Sequence, residues 1–181
     1  MDRYKVNLTS LSGDVFRLLC INAGEELSQR RIAEILKISP TASATAVRML
    51  EKSKFVKVER SKHANVRLVS LNRNDVKTIF LKRAENLRQI YESGLVLHLS
   101  EKFPGAAIIL FGSYSRGEDI ASSDIDIAIL SAKEKEVELS LFEKILGRKI
   151  SLQFYENLGS VHKNLRENLI NGIVLYGIVE L

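Results

Sequence analysis

The chain has 181 residues, of which 45% are hydrophobic and 27% are charged, and it contains only ten Gly and two Pro. This composition excludes a disordered or collagen-like chain, and no apolar run approaches the roughly 20 residues that a membrane-spanning helix requires. The first residues lack the apolar core of a signal peptide, and the single cysteine, Cys20, lies in an apolar stretch that predicts a buried thiol. We therefore expect a soluble, cytoplasmic protein that does not rely on disulfides and does not associate with a membrane.

The positive charge is concentrated in the first part of the chain. Residues 1–75 hold 14 Lys and Arg against 8 Asp and Glu, a net charge of +6, whereas residues 76–181 hold 13 against 14, a net charge of −1. A basic region joined to a near-neutral one is typical of a polyanion-binding module attached to a second domain. The charge alone does not distinguish nucleic-acid binding from an ordinary solvated surface.

Helical and strand periodicities follow one another in this basic region. The predicted elements are helices over residues 13–21, 28–37 and about 41–52, and strands over residues 55–60 and 66–71. The two strands are separated by a polar, basic tip. Three helices followed by a hairpin with a basic tip resemble the winged helix-turn-helix domain, over roughly residues 7–72.

In the winged-helix family the third helix enters the major groove of DNA, and the hairpin tip, called the wing, contacts the phosphate backbone. The resemblance implies base contacts from the third helix and phosphate contacts from the wing. The residues so assigned are Thr41, Ser43, Thr45 and Arg48 near the bases, and Arg60, Lys62 and Arg67 near the phosphates. The alternative is a winged helix that binds protein or serves only in assembly. The exposed face of the third helix is only modestly basic, which does not by itself predict sequence-specific recognition.

Residues 75–103 have the periodicity of one long helix. We interpret it as a connector between a winged-helix domain over residues 1–74 and a second domain over residues 104–181. Its apolar stripe predicts packing on one or both domains, with Gly94 as the position where the helix bends or loosens. Pairing of this stripe with a second copy is another interpretation, and such a homodimer would read paired DNA half-sites.

Two carboxylates and a Gly-Ser turn lie next to apolar strands in the second domain. Residues 107–111 are continuously apolar and precede Gly112 and Ser113, and a second strand begins around Asp124 and Asp126. Alternate side chains share a face of a strand, so these two carboxylates point the same way. They repel each other unless a cation lies between them, and Mg²⁺ (or Mn²⁺) binds through one or two carboxylates together with substrate phosphates. A helix that begins at Gly112 would direct free N–H groups toward such an anion.

The combined pattern of strand, Gly-Ser-x-x-Arg-Gly, loop, Ser-Asp-x-Asp and strand resembles the nucleotidyltransferase superfamily typified by DNA polymerase beta. It is most similar to the minimal nucleotidyltransferases of archaea and bacteria, over about residues 95–181. A helix over about residues 133–146 is predicted next, and residues 164–177 resemble the family's closing helix and short strand. The implied fold is therefore a winged helix-turn-helix followed by a polymerase-beta-like α/β (α+β) domain with a small mixed sheet.

The family's mechanism implies a role for each matching residue. In that mechanism, two divalent ions are held by carboxylates while a nucleoside monophosphate passes from a triphosphate to an acceptor hydroxyl and pyrophosphate leaves. The residues so assigned are Asp124 and Asp126 as metal ligands, and Gly112, Ser113, Arg116 and Ser123 as nucleotide-binding residues. For Arg116, an ion pair that merely stabilises the loop is an equal alternative.

One position departs from the family pattern. Active members usually carry a third carboxylate on a later strand, here predicted over residues 148–154, and Ser151 occupies the place of that acid. Serine is a poor metal ligand and a poor base at neutral pH. Glu156, Glu118 and Asp119 are the other acids that could substitute for the missing ligand.

Two hypotheses follow. In the first, the protein transfers a nucleotide to a hydroxyl acceptor; the resemblance implies a protein acceptor such as a HEPN-type ribonuclease toxin. In the second, it is a DNA-binding regulator whose nucleotidyltransferase-like domain senses nucleotide or mediates assembly. Ser151 and the basic N-terminal region favour the regulator, whereas the Gly-Ser turn and the two aspartates favour the enzyme.

Overall fold

A computed structural model describes residues 8–61 and 66–179. No helix in these two ranges is long and apolar enough to cross a membrane. Contacts between residues divide the chain into two compact units, Met1–Ile79 and Phe80–Leu181. The tip of the predicted wing, including Lys62, lies outside the described residues.

The first unit has the architecture of a winged helix-turn-helix, as predicted. Its described elements are α1 Ser10–Ile21, β1 Leu27–Ser28, α2 Gln29–Leu36, α3 Pro40–Lys52, β2 Val56–Arg60 and β3 Arg67–Leu71. The three strands form an antiparallel sheet in the order β1-β3-β2. The second and third strands are the hairpin that carries the wing, and the third helix directly precedes that hairpin.

Local signals define the helix ends in this unit. The hydroxyl of Ser28 accepts a hydrogen bond from the Arg31 N–H and begins α2, as predicted. Ser39 caps α3 in the same way, and Pro40 occupies its first turn, where a missing N–H has no cost. The core between the helices includes Cys20, which is buried as expected.

The segment predicted as one connecting helix is two helices, α4 Val76–Glu92 and α5 Leu95–Lys102. The Asp75 carboxylate accepts hydrogen bonds from the N–H groups at the start of α4. Gly94 separates the two helices with a φ of +79°, a left-handed conformation that a residue with a side chain adopts only at a cost. The predicted bend is therefore a complete break, and the prediction of a single helix was wrong.

The second unit contains a mixed four-stranded sheet. Its further elements are β4 Ala107–Phe111, α6 Gly112–Arg116, β5 Ile125–Leu130, α7 Ser140–Leu146, β6 Ile150–Tyr155, α8 Lys163–Ile170 and β7 Ile173–Tyr176. The strand order is β6-β5-β4-β7, in which β5 and β6 are parallel and the other neighbours are antiparallel. The small mixed sheet and the closing helix and strand agree with the prediction.

Both faces of this sheet are covered. On one face Ile125, Ile127 and Ile129 are fully buried in a cluster with the apolar side of α5. On the other face Ala128 and Leu130 pack in a cluster that includes residues of α8. Burial on both sides explains why β4 and most of β5 are apolar without alternation.

The helix predicted over residues 133–146 begins only at Ser140. Charged residues dominate positions 133–138, where Val137 is the only aliphatic side chain, so a helix there would have no apolar face to bury.

Candidate active site

The carboxylate of Asp126 lies against the main chain at the start of α6. Asp126 is the register partner of Phe111, the last residue of β4, and Gly112 follows immediately. Gly112 has a φ of +73°, and a Cβ at this position would meet Asp126 Oδ2 directly and lie 3.2 Å from its Cγ. The positive φ therefore favours glycine here, and an added Cβ would displace the Asp126 carboxylate. Asp124 immediately precedes β5, so both aspartates are at the same end of that strand.

The helix α6 begins at Gly112, beside the Asp126 carboxylate. The first N–H groups of a helix have no partner within it, and they carry a partial positive charge. Ser113 is the second residue of this short helix, and its side chain is only partly buried. The predicted strand, Gly-Ser turn and acidic strand thus converge at one end of the sheet.

The two aspartates raise an electrostatic problem that the described residues do not solve. Burial, and secondly the negative charge of Asp124, raise the pKa of the Asp126 carboxyl above its ordinary value. Among the described residues, no Lys, Arg or His forms an ion pair with either aspartate. A divalent cation would remove this repulsion, and a pair of carboxylate groups suits Mg²⁺.

Ser151 is the register partner of Asp126 on the neighbouring parallel strand β6. The hydroxyl therefore occupies the strand position next to the aspartate, where the family pattern has its third acid. Across the described parts of the chain, no group of three or more His, Cys, Asp or Glu side chains is arranged to hold a metal ion. The acids of the site are thus a pair of carboxylates.

None of the alternative third acids completes a metal site of three carboxylates. Glu156 follows Tyr155, which pairs with Leu130 at the opposite end of β5, so it lies about 16 Å along the strand from Ser151. Asp119 is fully buried and forms ion pairs with Lys82 and Arg148, the second at 2.9 Å.

The loop between α6 and β5 is held by its own contacts. Arg116 donates to the carboxylate of Glu118 at 2.8 Å, which matches the alternative interpretation of Arg116 as a loop-stabilising residue and occupies Glu118. The hydroxyl of Ser123 accepts a hydrogen bond from the Ile120 N–H at 3.0 Å and closes a turn immediately before Asp124. In this structure both side chains bond within the loop.

Three residues beneath this loop were missed by the sequence interpretation: Lys82 and Asn86 on α4, and Arg148 before β6. All three are buried. The spacing of four that places Lys82 and Asn86 on one helix face was a usable signal, but a lysine on a helix is normally solvated.

The predicted DNA-contacting residues divide into two groups. Thr41, Thr45 and Arg48 are exposed or partly exposed on α3. Ser43 is fully buried and donates to the Gln29 carbonyl at 3.0 Å, so its assignment to the DNA-contacting face was wrong. Its hydroxyl instead joins α3 to the start of α2.

The two described arginines of the wing are neighbours. Arg60 and Arg67 are register partners at the turn end of the β2–β3 hairpin, and both are exposed.

Two solved structures align with part of the chain. The zinc-responsive MarR family member ZitR of Lactococcus lactis is 28% identical over 56% of this chain and 67% of its own, with a TM-score of 0.43. The Adhesin competence repressor of Streptococcus pyogenes is 18% identical over 54% of this chain and 69% of its own, also with a TM-score of 0.43. The order of helices and strands in the first unit is that of a winged helix-turn-helix.

The second unit has a clear sequence relationship. Residues 92–175 match the family described as nucleotidyltransferase domain. Over 81 residues the chain is 37% identical to "Putative protein adenylyltransferase MJ1379" of Methanocaldococcus jannaschii, an alignment that covers 40% of this chain and 81% of the relative. The region that matches the family includes the Gly-Ser turn, both aspartates and Ser151. The chain therefore belongs to the nucleotidyltransferase domain family.

Proposed function

We propose that the second unit binds a nucleoside triphosphate with Mg²⁺ or Mn²⁺ and transfers the nucleoside monophosphate to an acceptor hydroxyl. The observation that carries this proposal is the position of the Asp126 carboxylate against Gly112, at the first turn of α6 and two residues after Asp124. This arrangement puts cation ligands and phosphate-binding N–H groups side by side.

Each residue has a defined part in the proposed transfer. Asp124 and Asp126 hold the cation, which when bound neutralises charge on the triphosphate and on the departing pyrophosphate. The N–H groups at the start of α6 and the Ser113 hydroxyl donate to phosphate oxygens and orient the α-phosphorus. The acceptor oxygen forms a bond to that phosphorus, the bond to the bridging oxygen breaks, and pyrophosphate leaves with the electron pair.

The proposed reaction also requires removal of the proton from the acceptor hydroxyl. Ser151 can exchange hydrogen bonds with the acceptor hydroxyl, but its own hydroxyl is too weak a base to remove a proton at neutral pH. The proton passes instead to solvent or to a group on the acceptor. We therefore expect transfer to be slow.

We propose ATP as the donor and a protein hydroxyl as the acceptor. The name of the Methanocaldococcus relative, a protein adenylyltransferase, supports both choices. A HEPN-type ribonuclease toxin, which the family resemblance implies, is the first acceptor to test.

Calorimetric titration tests nucleotide binding without knowledge of the acceptor. ATP, GTP, CTP and UTP are titrated with and without Mg²⁺ into the wild type, the double variant Asp124→Asn/Asp126→Asn and the control Glu156→Gln, which removes an exposed acid far from Asp126. The proposal expects Mg²⁺-dependent binding that is lost only in the double variant. Absence of binding by the folded wild type would reject a working nucleotide site.

A regulator that binds nucleotide without transferring it is the second candidate function. Ser151 favours it because this residue stands beside Asp126 where the family carries an acid. Mg²⁺-dependent binding with no transfer, even after Ser151→Asp, would support the regulator and contradict the enzyme.

We propose that the first unit binds DNA through the exposed face of α3, with Thr41, Thr45 and Arg48 near bases and the wing near phosphates. The adjacent Arg60 and Arg67 support this proposal. Removing one phosphate contact lowers the slope of log affinity against log salt by about 0.9. Arg67→Ala is expected to reduce the slope by about that amount in a mobility-shift series, while the charge-matched control Lys133→Ala in the second unit is not.

Contacts from Arg48 and Lys62 are part of the same proposal. A salt-sensitive mobility shift with DNA that is unchanged in both Arg48→Ala and Lys62→Ala would count against the proposed contacts.

We also propose a homodimer, because the apolar residues Val76 and Phe80 of α4 are exposed. Light scattering of the wild type checks this proposal.

A further inference from the structure

A buried polar cluster underlies the loop that carries Asp124. We call it the Asp119 cluster, and its members are Lys82, Asn86, Tyr114, Asp119 and Arg148. None of the five is more than 7% exposed. Ionised groups are seldom buried so completely, because each loses its hydration and must be compensated by partners. The members come from α4, α6, the loop before β5 and the residues before β6.

The cluster fixes the part of the loop that leads to Asp124, one of the two proposed metal ligands. Lys82 Nζ forms an ion pair with Asp119 Oδ1, and Asn86 Nδ2 donates to the same oxygen at 2.7 Å. Arg148 pairs with the other oxygen and also donates to the carbonyls of Ile120 and Ser123. Ser123 is bonded directly to Asp124, so the cluster fixes the backbone that immediately precedes the two carboxylates.

The same cluster also contacts α6, the helix that begins with the proposed phosphate-binding residues Gly112 and Ser113. Asn86 Nδ2 donates to the Tyr114 carbonyl at 2.9 Å, and Tyr114 is the third residue of α6. Lys82 Nζ lies 5.9 Å and Arg148 Cζ lies 5.5 Å from the centroid of the Tyr114 ring, within the range of cation–π attraction. One helix, α4, therefore contacts both the segment that carries Gly112 and Ser113 and the segment that leads to Asp124.

We infer that Lys82 and Asn86 are positioning residues that set the distance between the phosphate-binding turn and the metal-binding carboxylates. This inference rests on the proposed function for its purpose, although the positioning itself is a property of the free protein. Neither side chain touches the reacting atoms in this arrangement, since both are buried below the loop. A shift of about 1 Å in such a framework can lower the rate of a positioned reaction about 10²-fold.

The test compares Lys82→Met with Arg83→Gln. Methionine keeps an unbranched side chain but removes the ammonium group, and Arg83 is the exposed neighbour on the same helix. Amide hydrogen exchange is measured on the full chain, and MgATP binding is measured by calorimetry at a temperature where each variant is fully folded. For Lys82→Met we expect at least about tenfold faster exchange confined to residues 112–126 and at least about tenfold weaker MgATP binding, with neither change in Arg83→Gln.

The inference would be overturned if residues 112–126 exchanged their amide hydrogens at the same rate in Lys82→Met as in the wild type. A lower melting temperature with unchanged MgATP affinity would also overturn it, because the role would then be structural only. If Lys82→Met does not fold, Asn86→Ser replaces it: this change removes the donor to Asp119 and Tyr114 but leaves the Lys82–Asp119 pair, and the same results are expected. Failure of the wild type to bind MgATP would reject the proposed function alone, since the exchange measurement still decides the positioning.

Discussion

Asp119 and Asp126 lie seven residues apart in the chain, but their carboxylates are in opposite electrostatic surroundings. Asp119 is fully buried with Lys82, Asn86 and Arg148 around it. Asp126 is only partly buried, and it is close to the like-charged Asp124, which together with burial raises the pKa of its carboxyl. One acid has cationic partners, and the other has a like-charged neighbour.

This difference separates Asp119, which has a structural role, from Asp126, which we propose as a metal ligand. A buried acid with two cationic partners gains little from an added cation. A pair of adjacent acids without cationic partners lowers the stability of the fold unless a cation binds. A carboxyl group whose pKa is raised by burial and by a neighbouring acid therefore indicates a functional site more strongly than the number of acids in the loop does.

The largest expected effect is that of Asp119→Asn. Removing this charge leaves two buried cations without their anionic partner, which costs about 3–5 kcal/mol of the free energy of unfolding. Chemical denaturation followed by tyrosine fluorescence measures it, since four of the five tyrosines, Tyr91, Tyr114, Tyr155 and Tyr176, lie in the second unit. The exposed Glu118→Gln is the control, and a cost below about 1 kcal/mol for Asp119→Asn would contradict the contrast.

The next effect tests the contact between Gly112 and Asp126. Gly112→Ala displaces the Asp126 carboxylate, and we expect MgATP binding or transfer to fall about 10²-fold. Gly105→Ala is a matched control, because Gly105 has a similar φ of +82° but nothing within 4 Å of a Cβ. Both substitutions carry a backbone cost of about 1–2 kcal/mol, so equal losses of nucleotide binding would show that the contact is unimportant.

A smaller gain is expected from Ser151→Asp. A carboxylate beside Asp126 supplies the missing metal ligand and base, and we expect pyrophosphate release from MgATP to rise about tenfold or more. Gln153→Asp adds the same charge two residues further along the same strand, where Gln153 pairs with Ala128. A rise in both variants, or in neither, would contradict the proposal that Ser151 limits the transfer.

The smallest effect concerns pH and stability. The pKa of Asp126 is higher in the folded protein than the value near 3.8 of the unfolded chain. The fold is therefore most stable, as far as this residue is concerned, below the unfolded-state pKa, where the carboxyl is neutral. That contribution is lost as the pH rises through the folded-state pKa. Without metal, Asp126→Asn should therefore be more stable than the wild type at pH 7, by under about 1 kcal/mol because solvent screens the carboxylate, and equal to it below pH of about 3.5. Thermal melts at both pH values, with Glu156→Gln as control, detect the difference; a destabilised Asp126→Asn at pH 7 would contradict it.

The parts of the molecule that sequence predicted well depend on local patterns. Each of these patterns depends only on residues that are neighbours in the sequence. Examples are the helix cap at Ser28, the alternation of the hairpin strands and the apolar run of β4. The nucleotidyltransferase pattern was recognised because its glycine and both aspartates lie within 15 residues, Gly112 to Asp126. Their mutual contact is a consequence of two adjacent antiparallel strands.

The errors come from features that need the tertiary structure. Ser43 has the sequence spacing of a small polar contact residue, but the position of α2 buries it. Lys82 was assigned to an ordinary connector, because its partner Asp119 is 37 residues away. Local composition did predict a bend at Gly94 but not that it would end the helix.

The long spacing within the Asp119 cluster also has a consequence for folding. Asn86 and Tyr114 are 28 residues apart, and Lys82 and Asp119 are 37 apart, so their contacts require large chain loops to close. Contacts of high sequence separation form late unless they belong to the folding nucleus. The β4–β5 pairing, which is built from nearer residues, can form first. The two strands that carry Gly112 and Asp126 would then pair before the side chains of α4 reach Asp119 and Tyr114.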